Sequence, residues 1–558
     1  MTGDTVSGPS PGPAAGATAP ARRGRASALS RHRLAVVVAL HALVGALVAL
    51  GLPGPLLSAD DVTHLALART LAGGGPQPLP PQPPYGLLYP LLVAPAWAMG
   101  LSGGGVLVWA RLVSVAAGSG TVVVAHRLAR RVFRLDPVAA LVVALVAGTT
   151  PALVVTASIT WSERLAGLTV SLLVAVVAEA VGRDPSTATT RQVATRGAVV
   201  VVAAGAVAAT HPRLVPVAVA GALVAAVAWR RRPVAAAVVA GSALLVVAGA
   251  EVAGRLVQEA ALGSGGTYGA AELAASRGAG RAAAMVERGI GAVASATAAT
   301  AGFALVGWLV AWREPRTRVM TVLAGVVVAE AGWFLVGIER ADAWYHGRYL
   351  DVLAPVTLVA AGAALVRRDR LVLLAPAAAL VAGLAGALIG PVDLWNRPRS
   401  PVMMLGVEAA GAPFGSARFS PWSVALVATV VAVAVVVTAR RRRLCAGVTL
   451  VTVALGVASA SVAVTRLWDG AVGSRVAEAV DTVERTVSSD GLVIDPVGLS
   501  PNVAMAAAWE QGLDRTRLAD AGVPARDAGG DPLVLSAPDR VPPGAELVAE
   551  VDGAVFWR

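Results

Sequence analysis

Carboxylates beside long apolar segments are the residues of this sequence best placed to do chemistry. Asp60 and Asp61 follow the first apolar run in LLSADDVTHLALARTLAGG, and Glu163 lies in ITWSERLAG at the start of a later run. Ionisable side chains beside a membrane are costly to desolvate and are therefore functional candidates. A carboxylate within hydrogen-bond reach of a hydroxyl can act as its general base, and this is the chemistry that the three residues predict.

The pair Asp60 and Asp61 also has a purely structural explanation. Both stand in the first turn of a predicted short helix, where Ser58 or Asp60 would cap the free N–H groups and the charges would suit the helix dipole. Taken alone, the pair favours this explanation. The catalytic alternative requires Glu163 and further polar residues to converge on the same face.

A second polar set lies in the loop IERADAWYHGRYLDVLAP, which contains His346, Arg348 and Tyr349. Arginine offers a planar fork of donors for a phosphate. The rings of Trp344 and Tyr345 can stack on a sugar or line a lipid groove. We do not expect His346 to bind a metal, because no other His or Cys accompanies it at ligand spacing. Together with the carboxylates, this loop predicts a site for a phosphorylated, sugar-bearing lipid.

The elements that position these residues are predicted to be membrane spans. The chain is 56% hydrophobic and 14% charged, with a mean hydropathy of +0.70, whereas a soluble domain is about a quarter charged. Apolar runs of about 17 to 25 residues recur from Leu34 to the 460s, and each can cross a hydrocarbon core of about 30 Å. The net charge of +12 does not indicate a nucleic-acid partner, because the arginines cluster at the ends of these runs, as in cytoplasmic loops.

The arginine clusters determine the predicted topology. If the basic N-terminus is inside, all the arginine clusters fall inside only when the segment 86–101 does not cross the membrane. This segment is rich in Pro, which breaks or kinks a helix, so we predict that it does not cross. About thirteen helices then span the plasma membrane, including continuous spans over 138–157 and 287–311, and the C-terminus is extracytoplasmic. The predicted inside clusters are 127–134, 183–196, 230–232, 313–318, 367–370 and 440–443.

Three regions follow from this topology. Residues 1–33 are predicted to be a disordered basic cytoplasmic arm, rich in Gly, Pro, Ala, Ser and Thr. Residues 34–464 form an all-α transmembrane domain, in which 53–105 is one external loop with membrane-lying helices. Residues 465–558 form a small extracytoplasmic α/β domain, because the short apolar runs GLVIDPV, PLVLSAP and AELVAEVDGAVFWR accompany a helical PNVAMAAAWEQGL.

At these residues the sequence resembles the GT-C superfamily of membrane glycosyltransferases. The likeness is to bacterial, actinobacterial-type members related to the protein O-mannosyltransferases and the lipid A aminoarabinose transferases. It rests on DDVTHLALAR, YGLLYPLL and WARL, covers residues 34 to 215, and extends to the GRYLDVLAP loop. The family pattern has Asp-Glu, then an aromatic residue, then Ala-Arg. Here Asp61 stands where Glu is usual, and His64 where Tyr is usual.

The resemblance implies a GT-C-like fold and a hexosyl- or pentosyltransferase. The enzyme would transfer a sugar from a polyprenyl-phosphate donor to an envelope glycan, lipid or protein at the outer face. Asp60 takes the place of the catalytic base, while Glu163 and Asp61 would position the acceptor or, less favoured, a divalent cation. Arg348 and Arg69 would face the donor phosphate. The residues expected to bind substrate are Arg69, His64, Tyr85, Arg111, His211, Arg213, His346, Arg348 and Tyr349.

Alternatives stay open at this point. In HPRLVP, where relatives often have an Arg-Pro pair, the favoured interpretation of Arg213 is a snorkelling residue at a span start. A transporter or lipid flippase would also have many spans, but the sequence shows no pair of broken helices in matching halves. A catalytically inactive relative that binds envelope polymer through its tail stays open because of Asp61 and His64.

Overall fold

The computed structural model describes most of the chain, and nearly all of what it describes before residue 470 is α-helical. The described residues are 19–51, 58–75, 85–182, 189–262, 279–336, 343–389, 406–407, 421–469, 475–476, 478–480, 492–494, 503, 507, 516–518, 533–542, 545–551 and 553–557. The first helix begins at Ala19, inside the predicted disordered arm, while residues 1–18 of that arm lie outside the described residues.

The helices are numbered here in chain order. The first ten are α1 (Ala19–Ala49), α2 (Ser58–Leu71), α3 (Leu88–Ala98), α4 (Gly103–Arg131), α5 (Pro137–Gly148), α6 (Pro151–Val155), α7 (Glu163–Val181), α8 (Thr190–Thr210), α9 (Val215–Ala228) and α10 (Pro233–Leu262). The others are α11 (Ala279–Ala299), α12 (Phe303–Arg313), α13 (Arg318–Leu335), α14 (Arg348–Asp351), α15 (Ala354–Arg367), α16 (Ala375–Leu388), α17 (Pro421–Thr438) and α18 (Arg442–Asp469). Short 3-10 helices precede α9 and α16, at Pro212–Leu214 and Arg370–Leu374.

Among the described residues, eight helices are long and apolar enough to cross a membrane, or up to nine if the bent pair α11 and α12 is one span. Five shorter apolar helices accompany them. One of these is α3, whose 11 residues reach about 17 Å, less than a hydrocarbon core. The predicted class, an all-α polytopic membrane protein with a small C-terminal sheet region, is confirmed, and the total of thirteen spans stays a prediction.

Two predicted continuous spans are broken in the structure. Helices α11 and α12 meet at 107°, where Ala301 and Gly302 have φ angles of 50° and 81°. These are left-handed conformations that end a helix. The backbone of Ala375 lies so close to Gly302 that a Cβ there would collide with it. The segment 138–157 divides into α5 and α6, because Thr149 and Thr150 leave helical geometry before Pro151.

Small side chains dominate the core between the membrane helices. Its buried residues are mainly Ala and Val, with a few Leu and aromatic residues. Small residues let helix backbones approach closely where the surrounding lipid offers no hydrophobic gain. Gly307 of α12, for example, lies against the backbone of Thr357 in α15, where a Cβ would not fit.

The bundle has two chemically different ends, which α7 connects. Glu163 begins this helix and Glu179 lies in its last turn, about 24 Å further along the axis. At the second end Glu179 pairs with Arg127, with 2.7 Å between Oε1 and Nε. There too, Arg367 Nη2 donates to the carbonyl oxygen of Phe133 at 2.5 Å. Two of the arginine clusters that the predicted topology places inside, 127–134 and 367–370, therefore lie together at one end, and Glu163 lies at the other.

The C-terminal region contains a five-stranded mixed sheet. Its strands are β1 (Leu492–Ile494), β2 (Thr516–Leu518), β3 (Leu533–Ser536), β4 (Leu547–Val551) and β5 (Ala554–Trp557), in the order β2-β1-β3-β5-β4. β1 pairs parallel with β2 and β3, while β5 pairs antiparallel with β3 and β4. Strands β1, β3, β4 and β5 coincide with the three predicted apolar runs. Most of the predicted helix PNVAMAAAWEQGL lies outside the described residues.

Candidate active site

Helix α2 directs its two adjacent carboxylates to different surroundings. The side chain of Asp60 is 23% exposed. Its Oδ1 accepts a hydrogen bond from the hydroxyl of Tyr85, and its Oδ2 lies 3.5 Å from Nη1 of Arg348. Asp61 is fully buried, and its Oδ1 accepts from the backbone N–H of Thr160 at 2.9 Å. Asp60 therefore faces the candidate site, whereas Asp61 ties α2 to the segment before α7.

Glu163 joins the same group from the first turn of α7. Its Oε1 accepts from Nε of Arg348 at 2.6 Å and from Nη2 of Arg213 at 3.0 Å. The Glu163 side chain is only 6% exposed. Two carboxylates from α2 and α7 thus converge on one guanidinium, and the group is buried except on the side of Asp60.

Arg348, the first residue of α14, is the centre of the group. Its Cζ lies 3.5 Å from the ring centroid of Trp161, a cation–π geometry. Burial opposes the charged form, but the neighbouring charges of Glu163 and Asp60 outweigh it and hold the pKa of Arg348 above its usual value. The guanidinium therefore stays cationic in a buried place.

Arg213 and His211 enter from the short 3-10 helix before α9. The backbone N–H of Arg213 donates to Nδ1 of His211 at 3.2 Å, and its Cζ lies 4.7 Å from the ring centroid of Tyr349. Burial above all, with the charge of Arg213, lowers the pKa of His211 well below its usual value, so the imidazole is neutral. Arg213 is buried, so the expectation that it snorkels is wrong: its partner is the carboxylate of Glu163, not the water at the membrane surface.

The predicted histidines His64 and His346 both lie against aromatic rings. His64 is buried, with ring centroids 4.7 Å from Tyr85 and 5.3 Å from Tyr89, both edge-on. Burial lowers the pKa of His64 to about 4, so it too is neutral. His346 is buried with its ring centroid 4.6 Å from that of Tyr349. His64 thus packs among aromatic rings. This agrees with the family pattern given above, in which the position of His64 is usually a Tyr.

Two predicted residues do not join this group. Arg69 lies in the last turn of α2, nine positions and about 13 Å along the helix from Asp60. Arg111 is buried in α4, where it interacts electrostatically with Asp61 and Tyr89. Arg111 therefore interacts with Asp61 and not with the group around Arg348. Arg69 lies at the opposite end of α2 from Asp60.

Two residues of the site and its support, Trp161 and Gln258, are not among those predicted, and neither is the buried Arg164 next to Glu163 in sequence. Trp161 lies under Arg348, and Gln258 of α10 accepts the backbone N–H of Tyr85 on Oε1 at 3.0 Å. Arg164 is buried, and its Nε donates to the carbonyl oxygen of Leu153. The available signal was position: Trp161 and Arg164 flank Glu163, and Gln258 is a polar residue near the end of an apolar helix.

Several buried polar atoms in this group have no hydrogen-bond partner among the described residues. They are Glu163 Oε2, Arg213 Nε, Trp161 Nε1 and His64 Nδ1. Buried polar atoms in proteins are nearly always partnered. Glu163 Oε2 is an acceptor, whereas Arg213 Nε and Trp161 Nε1 are donors, so the group retains unused hydrogen-bonding capacity of both kinds. Within the described part of the chain, no group of three or more His, Cys, Asp or Glu residues could hold a metal ion.

Comparison with known proteins bears on the fold. No family model and no curated protein matches the sequence. The structure is similar to crystal structures of ArnT from Cupriavidus metallidurans, one bound to undecaprenyl phosphate and one in the apo state. Each has a TM-score of 0.58 and 14% identity, covering 94% and 95% of this chain, respectively, and 98% of ArnT. The chain therefore has the fold of ArnT, which agrees with the fold that the sequence resemblance implies.

Proposed function

We propose that this protein is an integral membrane glycosyltransferase. It would transfer a hexosyl or pentosyl group from a polyprenyl-phosphate donor to an envelope glycan, lipid or protein at the outer face of the plasma membrane. The observation that supports this most is the buried group in which Arg348 joins Asp60 and Glu163. The fold supports it as well, since ArnT of the same fold was crystallised with undecaprenyl phosphate.

Asp60 is the residue that we assign as general base. It is the more exposed carboxylate of the group, so an acceptor hydroxyl can reach it. Tyr85 and Arg348 hold its two oxygens and thereby fix the direction of the carboxylate. Asp60 would take the proton of the acceptor hydroxyl as that oxygen bonds to the anomeric carbon. The bond from that carbon to the phosphate oxygen breaks, and its electron pair leaves with the lipid phosphate.

The two arginines of the group are assigned different tasks: one binds the leaving phosphate and the other positions the base. Glu163 holds both guanidinium groups in place. Arg213 retains a buried Nε donor without a partner among the described residues. This makes Arg213 the better candidate to bind the leaving phosphate, while Arg348 positions Asp60. The role of Arg69 at the donor phosphate has no support from its position at the end of α2.

The test is transfer of radiolabelled sugar from a panel of polyprenyl-phosphate donors in membranes that contain the protein. We expect Asp60→Asn to lower transfer by about 10² to 10⁴-fold, the usual contribution of a general base, at unchanged membrane abundance. The matched control is Asp136→Asn, because Asp136 caps α5 at the arginine-rich end and Asn caps equally well.

Each outcome of this assay discriminates between functions. Label in an envelope polymer with wild type and Asp136→Asn, but not with Asp60→Asn, supports the enzyme class, the donor and the base together. Transfer that is unchanged in Asp60→Asn rejects Asp60 as the base. If no donor in the panel gives transfer, the glycosyltransferase proposal fails and a transporter becomes the better hypothesis.

A further inference from the structure

Helix α2 shares a hydrophobic core with the C-terminal sheet. Val62 and Ala66 of α2 belong to the same cluster of buried side chains as Leu535 of β3 and Phe556 of β5. Tyr85, whose hydroxyl holds Asp60, belongs to this cluster too. The apolar interior of the C-terminal region is therefore continuous with the two elements that present Asp60 and its hydrogen-bond donor.

The opposite side of α2 packs on the membrane helices. Leu65 and Ala68 belong to a second buried cluster, formed mainly with residues of α3 and α4. The indole N–H of Trp97 donates to the carbonyl oxygen of Leu65 at 3.0 Å. A helix of 14 residues is marginal by itself in water, so packing on its two sides has to determine its position.

The two faces of the sheet have different neighbours. Successive residues of a strand point to opposite faces. Ile494, Leu535 and Phe556 are register partners across β1, β3 and β5 and lie in the cluster shared with α2. The adjacent row is Val493, Val534 and Trp557, which forms a separate cluster on the other face. Phe556 and Trp557 are thus neighbours in one strand, both buried, but only Phe556 shares a core with α2.

We propose that the C-terminal sheet positions α2, and that Phe556 is a positioning residue for the site through this shared core. Loss of the Phe556 ring would leave a cavity whose neighbours relax toward it. The relaxation would move the cluster that contains Val62 and Tyr85. The consequence for sugar transfer rests on the proposed function, whereas the coupling between the sheet and α2 does not.

Hydrogen–deuterium exchange of the full-length protein in detergent tests the coupling without any assay of activity. Phe556→Ala should speed exchange of the α2 amides at least about tenfold, because local opening becomes easier when packing is lost. Trp557→Ala is the matched control, since it also removes a buried aromatic ring from β5. It should speed exchange in the sheet and leave α2 as in the wild type.

Equal exchange of α2 in the two variants, or wild-type exchange in Phe556→Ala, would overturn the proposal. If the alanine variants do not fold, Phe556→Leu and Trp557→Leu replace them with the same expected order. Where the alanine variants do fold, α2 exchange in Phe556→Leu should lie between that of the wild type and that of Phe556→Ala, because leucine refills part of the cavity.

Sugar transfer provides the second arm. Phe556→Ala should lower kcat about tenfold or more with little change in KM, since small misplacements of a catalytic group can cost up to about 10²-fold. Trp557→Ala should transfer at a rate near that of the wild type. Equal transfer by the two variants would reject a role in positioning Asp60. If α2 responds as expected but wild type transfers from no donor, the proposed function fails and the coupling stands.

Discussion

The two glutamates of α7 make chemically similar contacts in different surroundings. Each lies near one end of the helix, and each pairs with two arginines: Arg213 and Arg348 with Glu163, and Arg127 and Arg131 with Glu179. The arginine side chains of the first group are 7% and 10% exposed, against 44% and 57% in the second. The same pairing of residue types is thus buried at one end and open to solvent at the other.

This difference is what we expect between the proposed site and an arrangement that only sets the topology. Exposed ion pairs contribute about 0 to 1 kcal/mol, because water and salt screen them. Taking charges out of water is costly, and the cost is recovered only when partners and hydrogen bonds are well placed. The cluster around Glu163 bears this cost. We interpret the cost as that of a site in which charges are held in fixed positions away from water. The arginines around Glu179 need only lie on one side of the membrane.

The largest effect is expected from removing the carboxylate of Glu163. Glu163→Gln removes the ion-pair partner of the buried Arg213 and leaves Arg348 with Asp60 alone. It should lower the free energy of unfolding by about 3 to 5 kcal/mol. Glu179→Gln should cost less than about 1 kcal/mol, because its arginines are solvated. Thermal unfolding of both full-length variants in the same detergent measures this. Similar losses in the two variants would show that burial does not distinguish the two ends.

Replacing the guanidinium of Arg348 by a lysine ammonium should have the next largest effect. Arg348 uses Nε for Glu163 and Nη1 for Asp60, and a lysine ammonium cannot reproduce this fork. Arg348→Lys should lower transfer by roughly 10²-fold, as expected for a misplaced catalytic group. Arg127→Lys should leave the rate unchanged. Initial rates with one donor at saturating concentration provide the comparison, and wild-type rates in Arg348→Lys would exclude its positioning role.

The smallest effect is expected from His64 and concerns pH. Burial lowers the pKa of His64 from 6.5 to about 4 in the folded protein, so the unfolded chain binds its proton first as the pH falls. Stability should therefore be complete above about pH 6.5 and decline between pH 6.5 and 4, by up to about 1.4 kcal/mol per pH unit.

His64→Phe keeps an aromatic ring beside Tyr85 and removes this titration. Unfolding midpoints at pH 7.5 and 5.5 should differ less in His64→Phe than in the wild type. The exposed His32 supplies the control, since His32→Gln should preserve the wild-type pH dependence. An identical pH dependence in His64→Phe would contradict the assignment of a neutral buried histidine.

Sequence reasoning succeeded for features that local pattern decides. Apolar runs identify membrane helices because each run satisfies its own backbone hydrogen bonds, and arginine clusters mark their ends. The carboxylates Asp60 and Glu163 stood out because charge beside an apolar run is costly. The pattern missed the break between α11 and α12, because Gly302 is one small residue within an otherwise apolar segment and the close approach of Ala375 requires it.

The sequence by itself determined that this chain is a polytopic membrane protein with carboxylates at helix starts and arginines gathered at the opposite ends. Only the tertiary structure decided which of those charges meet. Asp60 and Asp61 are neighbours in sequence but face different partners, and Arg348 reaches Glu163 across 185 positions of the chain. The physical reason is that periodicity places a residue on a helix face. The packing of the other helices then decides whether that face meets lipid, water or an opposite charge.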